Sequence, residues 1–127
     1  MTIAIAYRPD PYGQAAVEFA VEEALRRDAT VLVVNVVGPG PDGTTPPPAD
    51  LSDVTARLDR AGIAHDVAQV EDHDVVGAVV DVLEDRGAEL LIIGMRKRTP
   101  VGKLIMGAVA QRLMLDTSIP VVAVKAP

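Results

Sequence analysis

Five short apolar runs alternate with four segments of helical period along this chain, and that alternation restricts it to very few folds. Thr2 to Tyr7 is rich in isoleucine and reads as strand one. Thr30 to Val37 is a β-branched run, strand two. Ala64 to Val70 is a weaker strand three, less apolar than the others, which suits a sheet edge. Glu89 to Ile93 is strand four, and Pro120 leads into Val121 to Val124, strand five.

The intervening segments carry helix punctuation. Asp10-Pro11 is a helix start, because Asp can accept from the free N–H groups and Pro suits the first helical position. Val17, Ala20, Val21, Ala24 and Leu25 then recur at helical spacing. Asp50 is expected to cap a second helix with Leu51, Val54 and Leu58 inward and Gly62 at its end. Asp74 caps a third, with Val76, Val79, Val80 and Leu83 on one face and Gly87 as its stop. The last helix is predicted over Leu104 to Asp116. Gly38 to Ala49 holds three glycines and five prolines; it reads as a loop and is expected to be the least ordered segment.

Strands alternating with helices imply a parallel sheet with right-handed crossovers. The expectation is an α/β, doubly wound, five-stranded parallel sheet of order 3-2-1-4-5, with helices on both faces, formed by one domain over residues 1–127. In such sheets ligands bind beyond the C-terminal ends of the strands where the winding reverses. That point falls between strands one and four, beside the residues after Tyr7 and after Ile93.

Composition narrows the chemistry. Hydrophobic residues make up 49% and aromatics 2%, so the core must be built from Val, Ala, Leu and Ile. The absence of cysteine excludes disulfides and thiolate metal sites. No apolar run approaches the roughly 20 residues of a membrane span, and Met1 to Ile5 reads as a strand, not a signal peptide. The expectation is a cytoplasmic protein that binds no membrane. A net charge of -6 argues against general nucleic-acid binding.

Against that acidity, no Asp or Glu occurs from Leu90 to Leu115. Gly94 to Gln111 carries three glycines, one proline and four basic residues, Arg96, Lys97, Arg98 and Lys103. A strand, a basic glycine-bearing loop and a helix start are how proteins hold phosphate, since backbone N–H groups can close on an anion at the positive end of a helix dipole. Gly102 and Gly107 are candidate backbone contacts, and Arg96 and Lys103 candidate charges. Gly102-Lys103 does not end a P-loop, because Leu104 stands where that motif needs Ser or Thr.

The same stretch resembles the C-terminal signature of the universal stress protein family, commonly written G-2x-G-9x-G-[ST]. Gly94 matches the first glycine, Lys97 stands at the second, Gly107 matches the last, and Ala108 stands where Ser or Thr is expected. The element order and the final Ser118 to Val124 segment are similar as well. The resemblance implies an adenine nucleotide α-hydrolase-like fold and a cytoplasmic homodimer formed through strand five, Val121 to Lys125. It implies a stress-response role, with ATP or AMP, or another phosphate-bearing ligand, bound in the crevice described above; the departures at Arg8, Lys97 and Ala108 make weak binding the expectation. The site residues so implied are Tyr7, Arg8, Val37, Gly94, Arg96, Lys97, Gly102, Lys103, Gly107 and Ala108. Family members that bind ATP commonly place Asp directly after strand one to contact the adenosine; Arg8 occupies that position here and cannot accept a hydrogen bond.

Other candidates carry blander readings. Asp10 is a helix cap. His65 and His73 are isolated surface histidines, and Asp72-His73-Asp74 is too compact in sequence to surround a metal. Asp81, Glu84 and Asp85 form a solvated helix side. No Ser, Cys or His is arranged as a nucleophile–base set, so the chain is read as a binding protein in preference to an enzyme. An enzyme of the adenine nucleotide α-hydrolase type usually carries Ser-Gly-Gly after strand one, where this chain has Pro9-Asp10-Pro11. The remaining alternative is a dimeric interaction module of the same fold that binds no nucleotide.

Overall fold

The computed structural model describes residues 1–96 and 107–126. In chain order the elements are β1 (Thr2–Ala6), α1 (Pro11–Arg27), β2 (Thr30–Val37), α2 (Ser52–Arg60), β3 (His65–Glu71), α3 (Val75–Arg86), β4 (Leu90–Met95), α4 (Ala108–Asp116) and β5 (Val121–Lys125). The strands form one sheet in the order β3-β2-β1-β4-β5, and each neighbouring pair is parallel. Ile5 lies opposite Ile92, so β1 and β4 end side by side at the point where the winding reverses.

Strand alternation divides the core in two. Ile3, Ile5, Val31, Val33 and Ile92 pack under α1 and α2 through Val17, Val21, Val54 and Leu58. Ala4, Leu32, Val34, Leu91 and Ile93 pack under α3 and α4 through Val76, Val79, Leu83 and Leu113. Central strands buried on both faces account for the uninterrupted apolar runs. The weaker β3 is indeed an edge strand, and β5 is the other edge. Among the described residues, no helix is long and apolar enough to cross a membrane.

Asp10 and Asp74 cap α1 and α3 as expected, accepting from Gly13 N at 2.8 Å and from Gly77 N at 3.0 Å. Gly87 ends α3 with φ of 64°, a left-handed conformation that costs a residue without Cβ little.

Several sequence-based expectations need correction. Leu25 continues the helical spacing of α1, yet it is 59% exposed. The apolar stripe is wider than the face the sheet covers, and Leu25 lies past its border. Asp50 does not occupy the cap of α2; Leu51 does, and Asp50 accepts from Ser52 N at 2.9 Å in a turn just before the helix. α4 begins at Ala108, four residues later than Leu104, because Gly107 has extended backbone (φ -60°, ψ 149°) and serves as the N-cap. β4 runs on through Gly94 and Met95, which pair with Val124 and Lys125. Gly94 is therefore a strand residue. Residues 38–49 lack regular secondary structure, in keeping with their prolines, but Thr45 is bonded to Glu71 at 2.6 Å and Ala49 to Gln69 at 3.0 Å.

Candidate functional site

A cleft of about 420 Å³ opens at the C-terminal ends of β1 and β4. Its floor is apolar and belongs to the α3/α4 side of the sheet: Val34, Val36 and Ile93, with Val79 and Leu113 from the helices. Its rim is polar and comes from the turns. Arg8 and Asp10 follow β1, Arg96 follows β4, and Gly107 precedes α4. This is the volume and the wall chemistry of a small-molecule site, a mostly apolar surface with a few convergent polar groups.

The charge at the rim is unevenly committed. Asp10 Oδ1 accepts from Gly13 N, and its Oδ2 lies 3.8 Å from Arg8 Nε. That carboxylate is occupied by its cap and its ion pair. The Arg8 side chain remains 81% exposed. The Arg96 guanidinium carbon lies 5.7 Å from the centroid of the Tyr12 ring, within cation–π range. The start of α4 adds backbone donors. Gln111 N reaches the Gly107 carbonyl at 3.0 Å, so Ala108, Val109 and Ala110 supply N–H groups with no acceptor within the helix, and no side chain among the described residues caps them. Val109 and Ala110 line the cleft. Two guanidinium groups and an open helix start thus share the rim with one engaged carboxylate.

Tyr7 is 2% exposed and forms part of both the α1/α2 core and the cleft wall. Burial pushes its hydroxyl above the ordinary value of 10.0, reinforced by the carboxylates of Asp53, Asp10 and Asp50, so it stays neutral at physiological pH. Its oxygen lies 3.4 Å from Gln14 Nε2, which donates.

Of the residues singled out in the sequence, the structure gathers Tyr7, Arg8, Gly94, Arg96 and Gly107 on the cleft wall. Val37 is not brought there; Ala108 is not part of the wall itself but sits at the rim between Gly107 and Val109, which line it. Val37 alternates with Val36 and faces the α1/α2 side, while the cleft opens on the other. Ala108 is exposed. Lys97, Gly102 and Lys103 lie outside the described residues, as does Arg98. Gly94 has a packing role: a Cβ there would fall on the Tyr12 carbonyl, so a bare glycine lets the start of α1 seat against β4.

Sequence reasoning missed two groups. The apolar floor was invisible because Val34 and Val36 look like any other strand valines. Asn35 was hidden inside the β-branched run, although it is the one polar residue between Val31 and Val37. It is 3% exposed, and its Nδ2 donates to the Tyr7 carbonyl at 3.0 Å. A polar residue at the centre of an apolar strand was the available signal.

Sheet order and cleft position together define a doubly wound α/β protein of the adenine nucleotide α-hydrolase-like fold. Residues 1–125 match the model of the universal stress protein family, and the chain belongs to that family. It is 41% identical over 125 residues to a universal stress protein of Mycolicibacterium smegmatis, covering 97% of this chain and 96% of the other. A universal stress protein from Archaeoglobus fulgidus superimposes with a TM-score of 0.78 at 25% identity, covering 98% of this chain and 97% of that one. The structure of the universal stress protein from Archaeoglobus fulgidus in complex with dAMP gives a TM-score of 0.71 at 20% identity, with 98% and 96% covered.

Proposed function

We propose that the cleft binds an adenine nucleotide or another phosphate-bearing ligand weakly, in a homodimer with a stress-response regulatory role. The observation that carries this reading is the open first turn of α4 beside the guanidinium groups of Arg8 and Arg96, all at the rim of an apolar-floored cleft. A phosphate would take the backbone N–H groups of Ala108, Val109 and Ala110 together with the charge of Arg96. A flat base would lie against Val34, Val36 and Ile93. The dAMP complex of the Archaeoglobus fulgidus relative supports the adenylate class. Lys97, Gly102 and Lys103 are proposed as further phosphate contacts.

Weak affinity follows from what the rim lacks. Arg8 is a donor only and cannot accept from an adenine amino group or a ribose hydroxyl. Asp10, the nearby carboxylate, is engaged by Gly13 N and Arg8. Ala108 supplies no hydroxyl. One missing hydrogen bond to a charged group costs about 1.5–3 kcal/mol, or roughly tenfold and more in affinity. The Arg8–Asp10 pair also favours a second reading, an interaction module of this fold that binds no nucleotide.

Calorimetry with AMP and ATP separates these readings. The expected dissociation constants lie above about 1 μM, and Arg96→Ala should weaken binding roughly tenfold. Tighter binding would show that Arg8 and Ala108 do not degrade the site. No heat at millimolar nucleotide would leave the interaction module. For assembly we propose that β5 pairs with its two-fold mate, since an apolar edge strand needs cover. Val122→Lys should shift the sedimentation coefficient toward monomer, and an unchanged value would count against this edge.

A further inference from the structure

Asn35 sits on the α1/α2 face of β2, where another valine would pack with no polar atom to satisfy. Its Nδ2 donates to the carbonyl of Tyr7, the residue just past the end of β1. Its Oδ1 accepts from Gln69 Nε2 at 3.2 Å, and the same Nε2 donates to the Ala49 carbonyl at 3.0 Å. The orientation of both amides is forced. The Tyr7 and Ala49 carbonyls only accept, so each side chain must turn its NH2 to its carbonyl, which leaves Asn35 Oδ1 facing Gln69. A hydrogen-bonded chain thus runs from the end of the Pro-rich segment, across β3 and β2, to the peptide group that carries Arg8.

A second anchor holds the same segment without entering that chain. Thr45 Oγ1 donates to Glu71 Oε1 at 2.6 Å, while Asn35 is bonded to Tyr7 and Gln69. Between the two anchors lie Pro46, Pro47 and Pro48, exposed and without an N–H to donate. The segment is therefore a strap pinned twice to β3, on the α1/α2 side of the sheet, and only its Gln69 anchor continues to the cleft.

We propose that Asn35 and Gln69 are positioning residues that couple this strap to the cleft. They hold the Tyr7 peptide, and through it Arg8, in register with residues 45–51. A displacement of Arg8 by a bound ligand is passed through the two amides to the strap. That last step rests on the ligand reading above; the positioning of Tyr7 and Arg8 does not.

The isosteric change Gln69→Glu tests the coupling in the full chain. A carboxylate cannot donate, so Asn35 must turn its NH2 toward residue 69 and its oxygen toward the Tyr7 carbonyl, and the bond that holds the Tyr7 peptide is lost. Gln69 is exposed, so the variant should fold; Gln69→Leu, which removes the donor without adding charge, is the second variant. Glu71→Ala is the control, since it frees the strap at Thr45 and leaves the amide chain intact. In ¹H–¹⁵N spectra without ligand, the Arg8 amide should shift in both Gln69 variants and stay in place in Glu71→Ala. An unmoved Arg8 amide in the Gln69 variants, or an equal shift in the control, overturns the proposal.

With AMP added to the unchanged protein, amide exchange at Thr45, Ala49 and Asp50 should change. Gln69→Glu should abolish that response and weaken AMP binding by roughly threefold to tenfold. AMP binding with no response in the strap overturns the coupling. If AMP fails to bind while the Arg8 amide still responds to Gln69→Glu, the positioning role stands and the ligand reading falls.

Discussion

The starts of α1 and α3 differ from the start of α4 in one respect that separates architecture from function. Asp10 and Asp74 place a carboxylate over the free N–H groups of their own helices. Among the described residues no side chain caps those of α4, and α4 opens onto the cleft. All four helices begin near the same end of the sheet, so the fold by itself would offer four positive helix ends to a ligand. α1 and α3 are capped from within, and Asp50 bonds the start of α2 through Ser52 N. The start of α4 opens onto the cleft without a side-chain cap among the described residues, and Arg96 adds charge to the same rim.

Substitutions can break this contrast, and the largest effect should come from the seat of α1. Gly94→Val puts a side chain onto the Tyr12 carbonyl, which is backbone and cannot move aside without shifting the first turn of the helix. A loss of about 3 kcal/mol is expected in urea denaturation. A loss below about 1 kcal/mol would mean that α1 adjusts freely and that Gly94 has no packing role.

Removing the caps should cost less. Asp10→Ala and Asp74→Ala are each expected to lower stability by about 1 kcal/mol, because each leaves a first-turn N–H without its acceptor. If these helix starts were competing anion sites, the same variants should also bind phosphate more tightly; calorimetry with inorganic phosphate reads this directly.

Closing the open start is the converse. Among the described residues a side chain at Gly107 meets nothing within 4 Å, and the backbone there is extended, so Gly107→Asp should be accommodated. It should add a few tenths of a kcal/mol to stability through capping and the helix dipole. AMP binding should fall tenfold or more, since a carboxylate then sits where the phosphate would go. Unchanged affinity in this variant would remove α4 from the site.

The smallest effect concerns α2, whose start is bonded to a carboxylate outside the helix. Hydrogen bonds from Ser52 hold the Asp50 carboxyl below its ordinary value of 3.8. The sign follows from linkage: a depressed folded value stabilises the fold fully above 3.8, and the contribution is lost as pH falls through the lower folded value. The Asp42 carboxyl, bonded by Thr44 in the strap, shifts in the same direction. An NMR titration should find both midpoints below 3.8. A midpoint at or above that value would mean that the turn is not populated in solution.

Much of this fold was legible in the sequence because its signals are short-ranged. A cap acts over three residues and a strand's apolar run over five or six, so Asp10, Asp74, Gly87 and the five strands could be read from neighbours alone. Alternation of those elements, with right-handed crossovers, then implied the sheet order and the position of the switch point. What the sequence could not decide was which side of each element meets which neighbour. Val36 and Val37 are chemically identical, and the pleat sends one to the cleft floor and the other to the opposite face. Leu25 fits the helical period but lies beyond the edge of the sheet's cover. Gly94 reads as a ligand-loop glycine until the Tyr12 carbonyl, far along the chain, is seen resting against it. Asn35 and Gln69 stand 34 residues apart, and their pairing exists only because β2 and β3 lie side by side. Local chemistry determined the parts and their order; packing over long sequence separations assigned each residue its partner.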